Sequence, residues 1–292
     1  MKLEQIITLA NAKVRLRFLA MERSLRAVGC DLPLLVIPYD DQRFELPAKA
    51  TWWESSELFN WLQSHKAHPT MRKYLALTVS NFQFVDADVC FLRNPAKTLE
   101  PVSGFITSCG HWHNPGETLT GESRLYLEER STIWQSNVFN TGQWACDRAL
   151  YELGQLRAQA EESRFRATCL EFRFHEQPGV NMLVAASGVV VTNLTLPPFR
   201  MQSTWAGDYC GEYRRYWKSV EETPYLIHWA GVPMHAPRPI DEIFLSFLTR
   251  KERAEWEAEV EAKRRAEAAR NSSFVGRGRK LKRKLRAFNE AQ

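Results

Sequence analysis

The sequence lacks the features typical of a small zinc-binding domain, a thioredoxin-like protein or a membrane protein. Its six cysteines stand singly, with no C-x-x-C pair, which argues against a zinc ribbon and a thioredoxin-like motif. No run approaches about 18 consecutive apolar residues, and residues 1–5 do not resemble the start of a signal peptide. The simplest expectation is a protein of the reducing cytoplasm.

The net positive charge of the chain is concentrated at its end. The net charge is +5, yet residues 270–292 hold eight Lys or Arg against Glu290 alone, so the rest is nearly neutral. A nucleic-acid binder should carry basic charge on its folded body, so we expect no nucleic-acid partner. Within the tail, Leu281, Leu285 and Phe288 recur at helical spacing among the cations. Two interpretations stay open: peripheral contact with an anionic inner membrane face, or a disordered solubilising tail.

The 292 residues, 44% of them apolar, are enough for one large core. Residues 5–10 predict a strand, 13–28 a helix that stops at Gly29, and 32–38 a second strand. This order of strand, helix and strand is typical of the beginning of a parallel α/β sheet. We predict one domain over residues 1–245, followed by a charged helix and basic tail over 246–292.

The rest of the chain continues the alternation. We predict helices over 52–68, 71–77, 146–162 and 249–270, strands over 82–85, 104–109, 189–192 and 225–228, and a loop over 111–122. Loops at the carboxyl ends of sheet strands are where open α/β folds bind ligands.

The strongest chemical signal is the strand over 82–85, which runs directly into Asp86, Ala87 and Asp88. Burying two unpaired carboxylates costs several kcal/mol per charge. A divalent cation such as Mg²⁺ or Mn²⁺ offsets that cost and leaves coordination positions for phosphate oxygens. On spacing alone, a solvated turn explains the pattern equally well.

Three further segments follow in a characteristic order. They are Phe139-Asn140-Thr141-Gly142, the run from Glu176 through Gln177 to Asn181, and the run from His228 to Gly231. Together with the D-x-D turn, they resemble the F-N-x-G, D-Q-x-x-x-N (here with Glu first) and H-x-x-G motifs of GT-A glycosyltransferases. The chain is most similar to family 8 and related nucleotide-diphospho-sugar transferases, over about residues 5–240.

The resemblance implies a GT-A (Rossmann-like) α/β fold, with a mixed, mostly parallel sheet flanked by helices and a helical basic C-terminal extension. It implies transfer of a sugar from a nucleotide-diphosphate donor, UDP-sugar favoured, to a glycan or lipid-linked acceptor. The implied metal ligands for Mn²⁺ or Mg²⁺ are Asp86, Asp88 and His228. A core histidine remains the alternative for His228.

Further roles follow from the same resemblance or from neighbouring polar residues. The donor-binding candidates are Thr8, Asn11, Tyr39, Asp40, Arg72, Lys73, Asp86, Asn140, Gly142, Asn181 and Gly231. Among them, Tyr39 would stack on the base and Asp40 would accept its imide hydrogen, although a capped polar turn explains Asp40 equally well. Catalytic candidates near the anomeric carbon are Glu176 and Gln177, where a surface acid at a turn is the alternative for Glu176. Apolar faces for an acceptor sugar are sought among Trp112, Trp134, Trp144, Trp205 and Trp229.

One further position departs from the family pattern. The family has a lysine three residues after Gly231, where this chain has Met234, so Arg238 or Lys73 would have to replace its diphosphate contact. The departure keeps a degenerate, non-catalytic GT-A scaffold as an alternative. A nucleotidyltransferase is the other alternative, although the opening strand lacks the Gly-rich basic loop such enzymes commonly use for a nucleoside triphosphate.

Overall fold

The structure, a computed structural model, describes residues 1–232 and 238–272. A sheet of seven strands forms its centre, in the order β3-β2-β1-β4-β7-β6-β8. The strands are β1 (Gln5–Ala10), β2 (Leu34–Pro38), β3 (Ala50–Trp52), β4 (Phe82–Val85), β6 (Phe105–Thr107), β7 (Gln143–Cys146) and β8 (Val191–Asn193). Four of the six neighbouring pairs are parallel. The predicted mixed, mostly parallel sheet is confirmed.

Helices cover both faces of this sheet. They are α1 (Arg15–Ala27), α2 (Ser56–Ser64), α3 (Pro95–Leu99), α4 (Gly121–Arg130), α5 (Leu153–Glu161), α6 (Ser163–Cys169), α7 (Gln177–Ser187), α8 (Asp241–Leu245) and α9 (Arg250–Ser272). The helix predicted over 71–77 is present as a 3₁₀ helix, Pro69–Thr78. Gly29 follows α1 with a φ of +73°, a left-handed conformation that favours glycine and ends the helix as predicted.

Strand β7 runs against both of its neighbours, β4 and β6. The predicted helix over 146–162 is wrong at its start, because Cys146 is the last residue of β7 and the helix begins at Leu153. Residues 143–146 are all buried, so they show no alternation of polar and apolar side chains. A short, fully buried strand cannot be separated from a helix turn by its periodicity.

A second, two-stranded sheet stands apart from the first. It pairs β5 (Val89–Phe91) with β9 (Leu226–His228) in antiparallel register, Val89 opposite His228. Since only residues 86–88 separate β4 from β5, this pairing brings His228 to the carboxyl end of β4. The small sheet therefore sets the position of the candidate site.

Helix α9 packs back on the beginning of the chain. Trp256, 5% exposed, belongs to an apolar cluster that includes Leu16 of α1, Ile227 of β9 and Phe244 of α8. The charged helix predicted over 249–270 is confirmed, and one of its residues is anchored in the core.

Two remaining expectations concern the termini and compartment. The basic tail over 273–292 and Met234 lie outside the described residues. Within the described residues, no helix combines the length and apolar character needed to cross a membrane. The six cysteines, all in this part of the chain, are free thiols.

Candidate active site

Three chain segments meet where β4 ends. Strand β4 delivers Asp86, whose backbone N–H donates to the Gly142 carbonyl at 2.7 Å. The pairing of β5 with β9 places His228 beside Asp88, and the Trp229 N–H donates to the Asp88 carbonyl at 3.0 Å. Backbone pairing thus brings together the three residues predicted to hold a metal.

Asp86, Asp88 and His228 offer ligand atoms that all lie within 4.8 Å of one another. The His228 Nε2 atom is 3.3 Å from Asp88 Oδ1 and 3.8 Å from Asp86 Oδ2. The shorter contact lacks hydrogen-bond directionality, and this buried nitrogen has no hydrogen-bond partner among the described residues. An orphaned imidazole nitrogen between two carboxylates is costly without an ion, and the three ligands fit a divalent cation.

Gly142 leaves no room for a side chain beside these ligands. A Cβ at this position would lie 2.0 Å from His228 Cε1, 2.5 Å from His228 Nε2 and 2.8 Å from Asp86 Oδ2. Each of these distances is shorter than a van der Waals contact. The glycine of the F-N-x-G segment is therefore required by the close approach of the ligands, and not by a positive φ.

We predict that Gly142→Ala lowers the free energy of unfolding by about 1 to 3 kcal/mol, since the imidazole and the carboxylate must move apart. Thermal or urea denaturation measures the effect. The matched control is Gly154→Ala in α5, where a Cβ meets nothing within 4 Å. That variant should be stabilised by up to about 1 kcal/mol through helix propensity. Equal stabilities of the two alanine variants would contradict the prediction.

Lys73 lies beside the triad formed by Asp86, Asp88 and His228, and only 4% of it is exposed. Its Nζ atom is 2.8 Å from Asp86 Oδ1, 2.6 Å from Glu176 Oε1 and 3.4 Å from the Thr141 carbonyl. Burial alone would lower the pKa of Lys73, but the charges of Asp86 and Glu176 outweigh it and raise that pKa. Lys73 is a buried cation that links Asp86 to Glu176, the residue that precedes α7.

Glu176 is the carboxylate on the other side of Lys73, only 2% exposed. The Thr141 hydroxyl donates to its Oε1 at 2.5 Å. Burial would raise the pKa of Glu176, but the charge and hydrogen bond of Lys73 and the hydrogen bond of Thr141 lower it below its ordinary value. Glu176 is therefore a buried, ionised carboxylate held through its Oε1 atom, not a surface acid.

The two aspartates differ in their electrostatic surroundings. Burial raises the pKa of Asp86, and Lys73 only partly opposes this. Burial would also raise the pKa of Asp88, but contact with His228 and the charge of Arg17 lower it to about 2. Arg17 of α1 places Nη1 3.4 Å from Asp88 Oδ2. Counting the imidazole as neutral, three carboxylates face two cations, and the excess negative charge favours binding of a cation.

Helix α7 supports the site through Asn181. Its amide donates to the carbonyls of Phe139 and Gln177, both at 2.9 Å, and its oxygen accepts from the Phe139 N–H at 3.2 Å. Asn140 in turn accepts from the Gly142 N–H at 2.8 Å. These two predicted donor-binding residues thus shape the 139–142 turn. Gln177 differs, because its buried Oε1 has no partner among the described residues.

Of the residues predicted to bind the base, Asn11, Tyr39 and Asp40 lie at the ends of β1 and β2, beside Arg72, for which the resemblance implies a diphosphate contact. Asn11 donates to Asp40 Oδ2 at 2.8 Å, and Arg72 donates to the Pro38 carbonyl at 2.6 Å. Tyr39 is half-buried, which raises its pKa. Thr8 is fully buried in β1, with no partner for its hydroxyl in the described part of the chain.

A cavity of about 460 Å³ adjoins the His228 strand. Trp205, which forms one of its walls, makes a parallel backbone bridge with His228. The cavity is lined by Gly110, His111, Trp112, His113, Asn114, Glu117, Thr195, Arg200, Met201, Gln202, Ser203, Trp205 and Asp208. Its polar atoms and two indole rings suit a polyhydroxylated ligand.

The five tryptophans proposed as sugar-binding faces divide by burial. Trp112 and Trp205 line this cavity, whereas Trp134 lines a separate one of about 290 Å³. Trp144 is 0% exposed and Trp229 is 2% exposed, so these two are core residues and the prediction for them is wrong. Both rings pack against apolar neighbours in the core and cannot contact a ligand. The burial of a tryptophan cannot be predicted from its residue type alone.

Two residues near the triad escaped the sequence analysis. Thr141 is the variable position of the F-N-x-G segment, and Arg17 belongs to no motif. The proposed substitute Arg238 is bound elsewhere, since its guanidinium donates to the Ala206 carbonyl at 2.8 Å and to Asp241 at 3.3 Å. Gly231 has a φ of +64°, a left-handed turn that favours glycine.

Comparison with known proteins supports the fold. No protein-family model matches the sequence, and no curated protein matches it. The structure is similar to that of the galactosyltransferase LgtC in complex with donor and acceptor sugar analogues, at 13% identity and a TM-score of 0.50. That match covers 86% of this chain and 99% of LgtC.

Two other solved structures match over a smaller share of their length. The apo structure of the bifunctional glycosyltransferase WbbM matches at 11% identity and a TM-score of 0.53, over 89% of this chain and 51% of that one. GlyE of Streptococcus pneumoniae, also a glycosyltransferase, matches at 10% identity and a TM-score of 0.51, over 88% and 64%. At such identities the likeness establishes the fold, and the chain has the predicted GT-A fold.

Proposed function

We propose that the protein is a metal-dependent glycosyltransferase that moves a sugar from a nucleoside-diphosphate donor to a glycan or lipid-linked acceptor. The observation that carries the proposal is the Asp86, Asp88 and His228 cluster, built around Gly142 at the carboxyl edge of a GT-A sheet. The three solved structures with the same fold are glycosyltransferases, which adds support by analogy.

Asp86, Asp88 and His228 would hold the cation. Two carboxylates and an imidazole fit Mn²⁺ better than Mg²⁺, which favours oxygen ligands throughout. When bound, the ion supplies a positive charge that stabilises the departing nucleoside diphosphate. The chain itself fixes the ligands, because Lys73 and Gly142 leave their side chains little freedom to move.

The donor would extend from this cluster toward the ends of β1 and β2. Tyr39 offers a ring for base stacking, and Asp40 and Asn11 offer polar atoms for the base or ribose. Arg72 rests on the Phe59 ring at 4.5 Å and lies half-buried at the same end. A pyrimidine imide, which presents one N–H between two carbonyl groups, is the base that suits a neighbouring carboxylate, so UDP-sugars are favoured.

At the sugar end, we propose that Glu176 positions Lys73 and does not accept a proton. A general base works best when its pKa lies near the operating pH. The paired Glu176 has a pKa below its ordinary value and its Oε1 is already engaged. Gln177, the next residue, has an unpartnered carbonyl oxygen that suits stabilisation of a cationic sugar. This arrangement favours retention over inversion of configuration.

The acceptor would enter the cavity beside His228. Trp112 and Trp205 supply flat apolar faces, and Asn114, Glu117 and Asp208 supply partners for hydroxyl groups. A glycan acceptor needs both kinds of contact. Membrane contact through residues 273–292, which would favour a lipid-linked acceptor, remains a prediction from the sequence.

A thermal-shift panel tests the function. We expect UDP, tested beside GDP, CMP and ATP, to raise the melting temperature only when Mn²⁺ is present. At a ligand concentration 100 times Kd the stabilisation should reach about 2.7 kcal/mol. Stabilisation by ATP alone would favour a nucleotidyltransferase. No response to any nucleotide would favour a non-catalytic scaffold and would overturn the proposal.

A further inference from the structure

Arg17 is a cation at the metal triad that no sequence motif marks. It lies in the first turn of α1, its side chain is 28% exposed, and its Nη1 is 3.4 Å from Asp88 Oδ2. This long contact with Asp88 is its one hydrogen bond among the described residues. A guanidinium has five N–H donors, so most of those of Arg17 stay available to a ligand.

Helix α9 contacts Arg17 through one aromatic ring. The Arg17 guanidinium lies 5.7 Å from the centre of the Trp256 ring. On either side of it, Arg15 bonds both oxygens of Glu255 at 2.6 and 2.8 Å, and Arg23 bonds both oxygens of Glu252 at 2.6 and 2.9 Å. The hydrogen bond from Arg23 lowers the pKa of Glu252 to about 2. Arg17 is thus a pre-positioned cation, with less entropy to lose on binding than a free side chain.

Asp88 is the carboxylate that Arg17 contacts among the described residues, and a cation bound at the triad would share it. Once a divalent ion occupies the triad, the ion and Arg17 are two positive charges on either side of Asp88, and they repel each other. A group with two or more negative oxygens placed between them would remove that repulsion and pair with the guanidinium fork. A diphosphate has this charge and spacing of oxygens, whereas a neutral sugar does not.

The other cations near the triad are already committed. Lys73 is enclosed between Asp86 and Glu176, and Arg238 is tied to Asp241 and the Ala206 carbonyl. Arg72 donates to the Pro38 carbonyl, and within the described residues it makes no hydrogen bond or ion pair with Asp86, Asp88 or His228. In residues 1–232 and 238–272, Arg17 is therefore the triad-contacting cation with free donors, and the sequence has Met234 where the resemblance implies a lysine.

We infer that Arg17, positioned by α9, binds the diphosphate of the donor. The inference rests on the proposed function. It assigns the leaving-group contact to a residue of the first helix and makes the packing of the last described helix part of the binding site.

Calorimetric titration of UDP and of UMP, each with Mn²⁺, into wild type and Arg17→Met tests this. We expect the affinity for UDP to fall about tenfold or more, the equivalent of a hydrogen bond to a charged group, and that for UMP to fall less than about threefold. Mn²⁺ titrated without nucleotide should bind the variant at least as tightly as the wild type. Arg148→Met, at an exposed arginine paired with Asp147, is the charge-matched control and should bind UDP like the wild type.

The positioning role of α9 has its own variant, Trp256→Leu. This variant should weaken the binding of UDP more than that of UMP, as Arg17→Met does, but by a smaller factor. If the wild type binds UDP with Mn²⁺ and Arg17→Met binds it equally well, the inference is wrong and the proposed function stands. A parallel loss of UDP, UMP and Mn²⁺ binding would show that Arg17 only supports the fold. If the wild type binds no nucleoside diphosphate, both proposals fail.

Discussion

Lys73→Met should lower the free energy of unfolding by about 3 to 5 kcal/mol, the usual cost of breaking a buried charge pair. Lys73 separates Asp86 from Glu176, with nitrogen to oxygen distances of 2.8 and 2.6 Å. Methionine fills similar space but leaves two buried carboxylates without their shared counter-charge. Urea denaturation monitored by tryptophan fluorescence measures the loss.

Two further variants test this explanation. Glu176→Gln in the Lys73→Met background removes one of the orphaned charges and should recover part of the lost stability, which a simple packing defect would not allow. Lys218→Met, at an exposed lysine, should change stability by less than about 0.5 kcal/mol. A Lys73→Met protein within about 1 kcal/mol of wild type would mean that the carboxylates are protonated or hydrated instead of paired.

Asp88→Asn should weaken Mn²⁺ binding by at least about a hundredfold, since losing merely an outer-shell partner of a metal ligand costs about 10- to 100-fold. The substitution keeps the shape of the side chain but removes the charge closest to His228 and Arg17. The Mn²⁺-dependent thermal shift with UDP should disappear with it. Titration of Mn²⁺ by electron paramagnetic resonance measures the metal affinity directly.

The control for this experiment is Asp31→Asn, which removes an exposed carboxylate paired with Lys49 at the far end of β2. It should leave Mn²⁺ binding unchanged. Unaltered Mn²⁺ affinity in Asp88→Asn, with normal folding, would show that the cluster is not a metal site. Loss of Mn²⁺ binding without loss of UDP binding would separate the cation from the nucleotide and contradict the proposed mechanism.

The approach of Asp86, Asp88 and His228 to one another was anticipated from the sequence because these residues lie at or just beyond the ends of recognisable strands. Asp86 ends an apolar run, and His228 ends the last one, so each local pattern predicts a strand end. Their order along the chain matched that of known transferases. Their meeting depends on the pairing of β5 with β9, and no local pattern encodes that long-range pairing.

Contacts between distant, non-motif residues were not predictable. Arg17 approaches Asp88 from 71 residues away, and the Arg15 pair with Glu255 spans 240 residues. In the sequence, Arg17 is an ordinary polar residue of an amphipathic helix. The burial of Lys73 was not predictable either, because a lysine is rarely buried. Only the structure shows that Asp86 and Glu176 enclose it.

The antiparallel direction of β7 allows the segment between β6 and β7 to vary in length and sequence. Since β6 and β4 end at the same edge and β7 begins there, residues 108–142 leave the sheet and return to it at one rim. Such an excursion tolerates lengthening at little entropic cost, and its length does not alter the spacing of β4 from α1. Residues 110–117 can therefore be exchanged for another loop that reshapes one wall of the cavity, while Asp86, Asp88 and His228 keep their original scaffold.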